Sequence, residues 1–150
     1  MIADEAAMLT LGARLADLVR PGDVIALSGG LGAGKTTLAR GLLAMLGLEE
    51  EAPSPSFAIV QPYDPPLVRM GVAHVDLYRL EDEADLDELG LDEYLDEGII
   101  IIEWPERMGD RLWAHALHLT IEMQGDGSEG DDARRLTAMV PDAWKDRWLP

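Results

Sequence analysis

Residues 29–37 read GGLGAGKTT, four glycines around one of the chain's two lysines, with two threonines directly behind. An ordinary turn needs one or two glycines, so this density suits backbone that must come close to another molecule. Residues 29–36 fit the pattern of glycine, four residues, glycine, lysine, then serine or threonine that wraps a polyphosphate. Successive N–H groups curve inward around oxygens, and the helix that follows adds its partial positive end. Lys35 would place a cation on the β and γ phosphates, and the Thr36 hydroxyl would ligate Mg²⁺. On this reading Gly29, Gly30, Leu31, Gly32, Ala33, Gly34, Lys35, Thr36 and Thr37 bind the nucleotide. The plain alternative is a glycine-rich helix cap with an incidental lysine. A strand before the loop and a helix after it favour the phosphate reading.

A nucleoside triphosphate also needs acids to hold the metal and to place the attacking group. In an open parallel sheet such groups lie at the carboxyl ends of strands, beside the phosphate loop. Two positions fit: Asp76 ends MGVAHVD and Glu103 ends GIIIIE. Glu103 is assigned to the metal, directly or through water, and Asp76 to orienting the attacking water or the metal's hydration shell. The two roles are exchangeable on sequence grounds, and for each acid a solvent-facing or arginine-paired carboxylate is the structural alternative. Lys35, Asp76 and Glu103 form the candidate catalytic set, with Thr36 and Glu103 on the metal.

The elements that must carry these residues follow from periodicity. Met8, Leu11, Leu15, Leu18 and Val19 recur at helical spacing over 4–19, and Arg20, Pro21 and Gly22 end the pattern. Residues 23–28 form a short buried strand leading into the glycines, and 35–46 resume a helical period that stops at Gly47. Strands are predicted at 57–60, 70–77, 99–102, 117–121 and 136–140, with Pro62, Pro65 and Pro66 in a loop. The segment 81–97 is mostly acidic but keeps Leu86, Leu89, Tyr94 and Leu95 as an apolar face, which predicts one or two solvated amphipathic helices. GDGSEGDDA is a flexible connection between the last two strands.

Bulk properties bound the function. A chain of 150 residues, 47% hydrophobic, supports one domain with one sizeable core. Its 29 acidic and 12 basic side chains give a net charge of −17, which repels nucleic-acid backbones and anionic membranes. There is no cysteine, so disulfides and thiolate metal sites are excluded. The first twenty residues do not read as a signal peptide, and no window approaches the roughly 20 apolar residues of a membrane span. A cytoplasmic protein is expected.

With these residues assembled, the chain resembles the TsaE (YjeE) family, the small ATPases of bacterial tRNA threonylcarbamoyladenosine synthesis. Four blocks carry the likeness: GGLGAGKTT, SPSF at 54–57, HVDLYR at 74–79 and IIEW at 101–104, spread over roughly residues 5–122. The resemblance implies an α/β, P-loop NTPase-like three-layer fold with a central, mostly parallel sheet and a C-terminal β extension. It implies ATP/ADP and Mg²⁺ as ligands, and TsaB and TsaD as partners, with tRNA contacts carried mainly by those partners. ATP turnover would reset the assembly rather than forge the new bond. Glu103 and Thr36 match the family's metal-side positions, and Asp76 its essential acid. The chain departs from the family pattern in having Gly30 in place of aspartate and Ser56 in place of threonine. Ser56 keeps a hydroxyl, whereas Gly30 loses a carboxylate that bears on regulation more than on phosphate binding.

Weaker signals complete the reading. His74 lies two residues before Asp76, on the same strand face, and fits either a place near the phosphates or a plain structural role. His115 and His118 would face opposite ways on a strand, and no zinc site is expected. Trp104 either shields the site or borders the base pocket, and Trp113, Trp144 and Trp148 serve packing or a partner surface. Arg79 is a candidate counter-charge in cis, with a surface salt bridge as its alternative. A small-molecule kinase and a nucleotide-dependent binding module are the competing readings; the first would need an acceptor pocket and usually a basic lid.

Overall fold

The computed structural model describes residues 4–30, 34–49, 60–66, 68–78, 86, 89–123 and 134–148. Its first helix, α1 (Glu5–Ala16), starts where Asp4 accepts a hydrogen bond from the Ala7 N–H at 2.8 Å, a side-chain cap on an otherwise orphan donor. Glu5 in the first turn and Arg14 in the last complement the helix dipole. Met8, Leu11, Leu15 and Ala16 are its buried stripe. Strand β1 (Val24–Ser28) is buried at every position and leads to Gly29, and α2 (Lys35–Met45) begins beyond the loop. Gly34 caps α2 at φ 112°, a left-handed conformation that glycine adopts without a Cβ penalty.

The remaining strands are β2 (Val60–Tyr63), β3 (Gly71–Asp76), β4 (Gly98–Glu103), β5 (Leu117–Met123) and β6 (Arg134–Met139). They form one six-stranded sheet in the order β2-β3-β4-β1-β5-β6. β3, β4, β1 and β5 run parallel, and β2 and β6 are antiparallel edges. β4 is buried throughout, as expected of a central strand covered on both faces. Alternation splits its isoleucines. Ile99 and Ile101 join α1 and α2 in the larger core, while Ile100 and Ile102 pack with Val75, Leu77, Leu91 and Met108 on the other face.

Two sequence expectations shift. The strand predicted at 57–60 shares only Val60 with β2, and Pro62, expected in a loop, lies within β2. Pro62 is exposed on an edge strand, the setting in which a missing N–H breaks no ladder bond; residues 57–59 lie outside the described residues. In the acidic segment the helix described is a single turn, α3 (Leu91–Tyr94), with Leu86 buried nearby in the second core. Residues 79–85, 87 and 88 are not among those described.

α1 and α2 pack backbone to backbone. A Cβ on Gly12 would land on the Leu38 carbonyl, and one on Gly41 on the Leu9 carbonyl. Glycine inside a helix costs about 1 kcal/mol relative to alanine, so its presence twice at one crossing reflects the close approach. Gly41→Val is expected to lower stability by about 2 kcal/mol through overpacking, measured as a lower urea midpoint with an unchanged slope. Strands β3 and β4 have a similar contact, because a Cβ on Gly98 would meet the Gly71 carbonyl.

The C-terminal segment returns to the amino end of β1. Trp144 is fully buried in the larger core. Arg147 donates to both Asp23 oxygens at 2.6 and 3.0 Å and to the Leu18 carbonyl at 2.9 Å, with its guanidinium 4.2 Å from the centre of the Trp144 ring. Asp23 also accepts from the Arg20 N–H at 2.6 Å.

Candidate phosphate-binding site

The start of α2 and the carboxyl ends of β3 and β4 meet on one face of the sheet. Register places Asp76 opposite Glu103, and Leu27, near the end of β1, opposite Glu103 on its other side. The acids thus lie to one side of the exit of the strand that feeds the glycine loop, at the end of the sheet where parallel sheets hold ligands. Lys35 and Thr36, adjacent on the first turn of α2, reach down to this edge. The sequence-predicted residues Lys35, Thr36, Asp76 and Glu103 are therefore neighbours. Gly29, Gly30, Gly34 and Thr37 are described around them, while Leu31, Gly32 and Ala33 lie outside the described residues, as do Ser56 and Arg79.

The Thr36 hydroxyl lies 3.1 Å from each oxygen of Glu103 and donates to that carboxylate. A hydroxyl and a carboxylate side by side are hard oxygen donors that suit Mg²⁺, which takes one or two protein oxygens and completes its shell with water and phosphate. No group of three or more His, Cys, Asp or Glu able to hold a metal ion occurs among the described residues. The donor set fits a magnesium–nucleotide complex and does not resemble an all-protein cation cage.

Lys35 is buried and donates to the Gly29 carbonyl at 2.6 Å. Its Nζ also sits 3.5 Å from the centre of the Trp104 ring, a cation–π contact. Burial pulls the ammonium below its ordinary range, against the opposing pull of Glu103, Asp76 and Glu106. Trp104 holds φ 62° and ψ 50°, unusual for a bulky residue, and its ring centre is 5.0 Å from that of Tyr78. The Tyr78 N–H in turn donates to Asp76 at 2.9 Å, which fixes that carboxylate at the strand end. Trp104 thus covers the lysine.

Other expectations resolve individually. A Cβ added at Gly30 would meet nothing within 4 Å among the described residues. His115 bonds the Gly22 carbonyl at 2.8 Å, and His118 contacts the Ser28 hydroxyl at 2.6 Å, so the two serve different neighbours. Ser28, the residue before the glycine loop, and Tyr78 were missed by sequence reasoning. Their partners depend on strand order, which composition does not encode. His74 is fully buried, with Nε2 2.7 Å from Glu103; its alternation with Asp76 was the signal for that placement. Trp113 is partly buried and donates to Asp92 at 3.0 Å, and Trp148 packs against the larger core.

Known proteins match the chain along most of its length. The family model described as threonylcarbamoyl adenosine biosynthesis protein TsaE matches residues 2–135. The tRNA threonylcarbamoyladenosine biosynthesis protein TsaE of Streptomyces coelicolor is 42% identical over 136 residues, covering 87% of this chain and 88% of that protein. The protein of the same name from Bacillus subtilis is 37% identical over 123 residues, covering 81% and 72%. The crystal structure of Bacillus subtilis YdiB superposes with a TM-score of 0.76 at 28% identity, covering 95% of this chain and 85% of that one. Matched along most of its length by family model and relatives alike, the chain belongs to the TsaE family.

Proposed function

We propose that this chain is a Mg²⁺-dependent ATPase subunit of the bacterial assembly that synthesises threonylcarbamoyladenosine on tRNA, acting with TsaB-like and TsaD-like partners. The observation that carries the reading is the convergence of Lys35 and Thr36, at the start of α2, with Glu103 and Asp76 at adjacent strand ends. The names of the relatives supply the pathway.

In this mechanism the loop amides and the amino end of α2 hold the phosphates. Lys35 leaves the Gly29 carbonyl and extends to the β and γ oxygens. Thr36 and Glu103 would hold Mg²⁺, which would supply positive charge against the negative charge developing on the transferred phosphoryl group. Asp76, oriented by Tyr78, positions the attacking water. An arginine contributed by a partner would complete the charge balance, so hydrolysis is slow alone and faster in the assembly. The net charge of −17 leaves tRNA contacts to the partners. The site of action is the cytoplasm; no helix among the described residues is long and apolar enough to cross a membrane.

Reconstitution of tRNA modification with partners, ATP and Mg²⁺ tests the proposal by counting product per complex. Omitting this chain should limit each complex to about one turnover. Glu103→Ala should bind ATP and the partners yet reduce hydrolysis by about 100-fold or more, the scale on which one charge-stabilising group acts in a preorganised site. Repeated modification supported by Glu103→Ala would show that hydrolysis is not the function.

A further inference from the structure

Glu103 is gripped from two sides. Thr36 approaches both of its oxygens, while His74 Nε2 lies 2.7 Å from Oε2 alone. The contact is diagonal across the β3–β4 ladder, since His74 pairs with Ile101 and Glu103 lies two residues further along the same face. With Glu103 ionised, so short an approach requires the hydrogen on Nε2 whether the ring is neutral or protonated, because a bare ring nitrogen would repel the carboxylate. His74 is fully buried, and its Nδ1 has no hydrogen-bond partner among the described residues. The ring's hydrogen bonding among the described residues is thus spent entirely on Glu103, although a buried polar atom is ordinarily paired.

We infer that His74 is a positioning residue for the metal. By holding Oε2 it would fix the carboxylate plane and leave Oε1, which His74 does not engage, available to ligate Mg²⁺. The inference rests on the nucleotide reading of the site and adds to it a residue whose effect is exerted through Glu103. A ligating carboxylate left unbraced must be ordered at the moment of binding, and outer partners of metal ligands are worth roughly 10- to 100-fold in metal affinity or activity.

Calorimetry of ADP binding with and without Mg²⁺ tests this on the full chain. His74→Phe fills the space without a donor. It should lower the Mg²⁺-dependent gain in ADP affinity about tenfold or more and leave Mg²⁺-free ADP affinity within about twofold. His74→Gln, whose amide nitrogen reaches about as far as Nε2, should recover most of the gain, and the shorter His74→Asn should not. A folded His74→Phe protein with the wild-type Mg²⁺-dependent gain overturns the inference. Should His74→Phe fail to fold, equal gains for the Gln and Asn variants overturn it, since both are polar and only one reaches Glu103. If wild-type protein shows ADP binding with no Mg²⁺-dependent gain, the inference falls together with the assignment of Thr36 and Glu103 to the metal, while the phosphate loop stands. If it shows no ADP binding at all, the nucleotide reading falls and takes the inference with it.

Discussion

A Lys35→Met variant is expected to lose roughly 10- to 100-fold in adenine-nucleotide affinity, the worth of a hydrogen bond from a charged donor, while its ligand-free form melts no lower than wild type. Lys35 is only 5% exposed, and burial opposes its charge more than Glu103, Asp76 and Glu106 support it. Methionine has similar length, carries no charge to desolvate and keeps a favourable sulfur contact with Trp104. The folded-state pKa of Lys35 lies below 10.5, so between that value and 10.5 the unfolded chain binds more protons. Wild-type stability should therefore rise with pH across this window relative to the methionine variant, which cannot titrate there. Paired melts from pH 7 to pH 10 measure the difference. A variant that melts well below wild type at pH 7 would mean that the Gly29 and Trp104 contacts outweigh the cost of burying the ammonium.

Arg147→Ala is expected to cost about 3 kcal/mol, because it leaves the buried Asp23 carboxylate without its bidentate partner. It also removes a donor from the Leu18 carbonyl and a cation from the Trp144 ring. For a chain of this size the melting temperature should fall by roughly 6–12 °C. The pair sits at the amino end of β1, across the sheet from the glycine loop, so nucleotide affinity at a temperature where both proteins are folded should not change. A melting temperature within about 1 °C of wild type would show the pair to be energetically idle.

Much of the site was legible because its chemistry is local. Lys35 and Thr36 belong to one contiguous motif, and Asp76 and Glu103 each close an apolar run that could only be a buried strand. The contact that joins the acids to the motif was not local: β4 lies beside β1 although more than seventy residues separate Leu27 from Glu103. Periodicity cannot order strands in a sheet; the rule that open parallel sheets gather functional groups at the carboxyl ends of their strands bridged that gap, and the family resemblance agreed with it. α1 and α2 were readable from their apolar spacing and breakers, whereas β2 was misjudged because proline disfavours a central strand and composition does not reveal which strand is at an edge. The acidic segment misled in another way. Its apolar residues do pack, but Leu91 was not among those expected to form the face, and it is the buried residue of the one described turn.

Four consecutive isoleucines carry no ruler of their own: slide β4 by one position and an isoleucine still faces an isoleucine's former neighbours. The notch where Gly98 meets Gly71 supplies a mark, since a Cβ on Gly98 would strike the Gly71 carbonyl. Alignment set there is carried along five residue steps, about 17 Å of extended chain, and decides at the far tip which way Glu103 points. The gauge for the orientation of Glu103 therefore lies at the opposite end of its strand, in two residues that have no side chain at all.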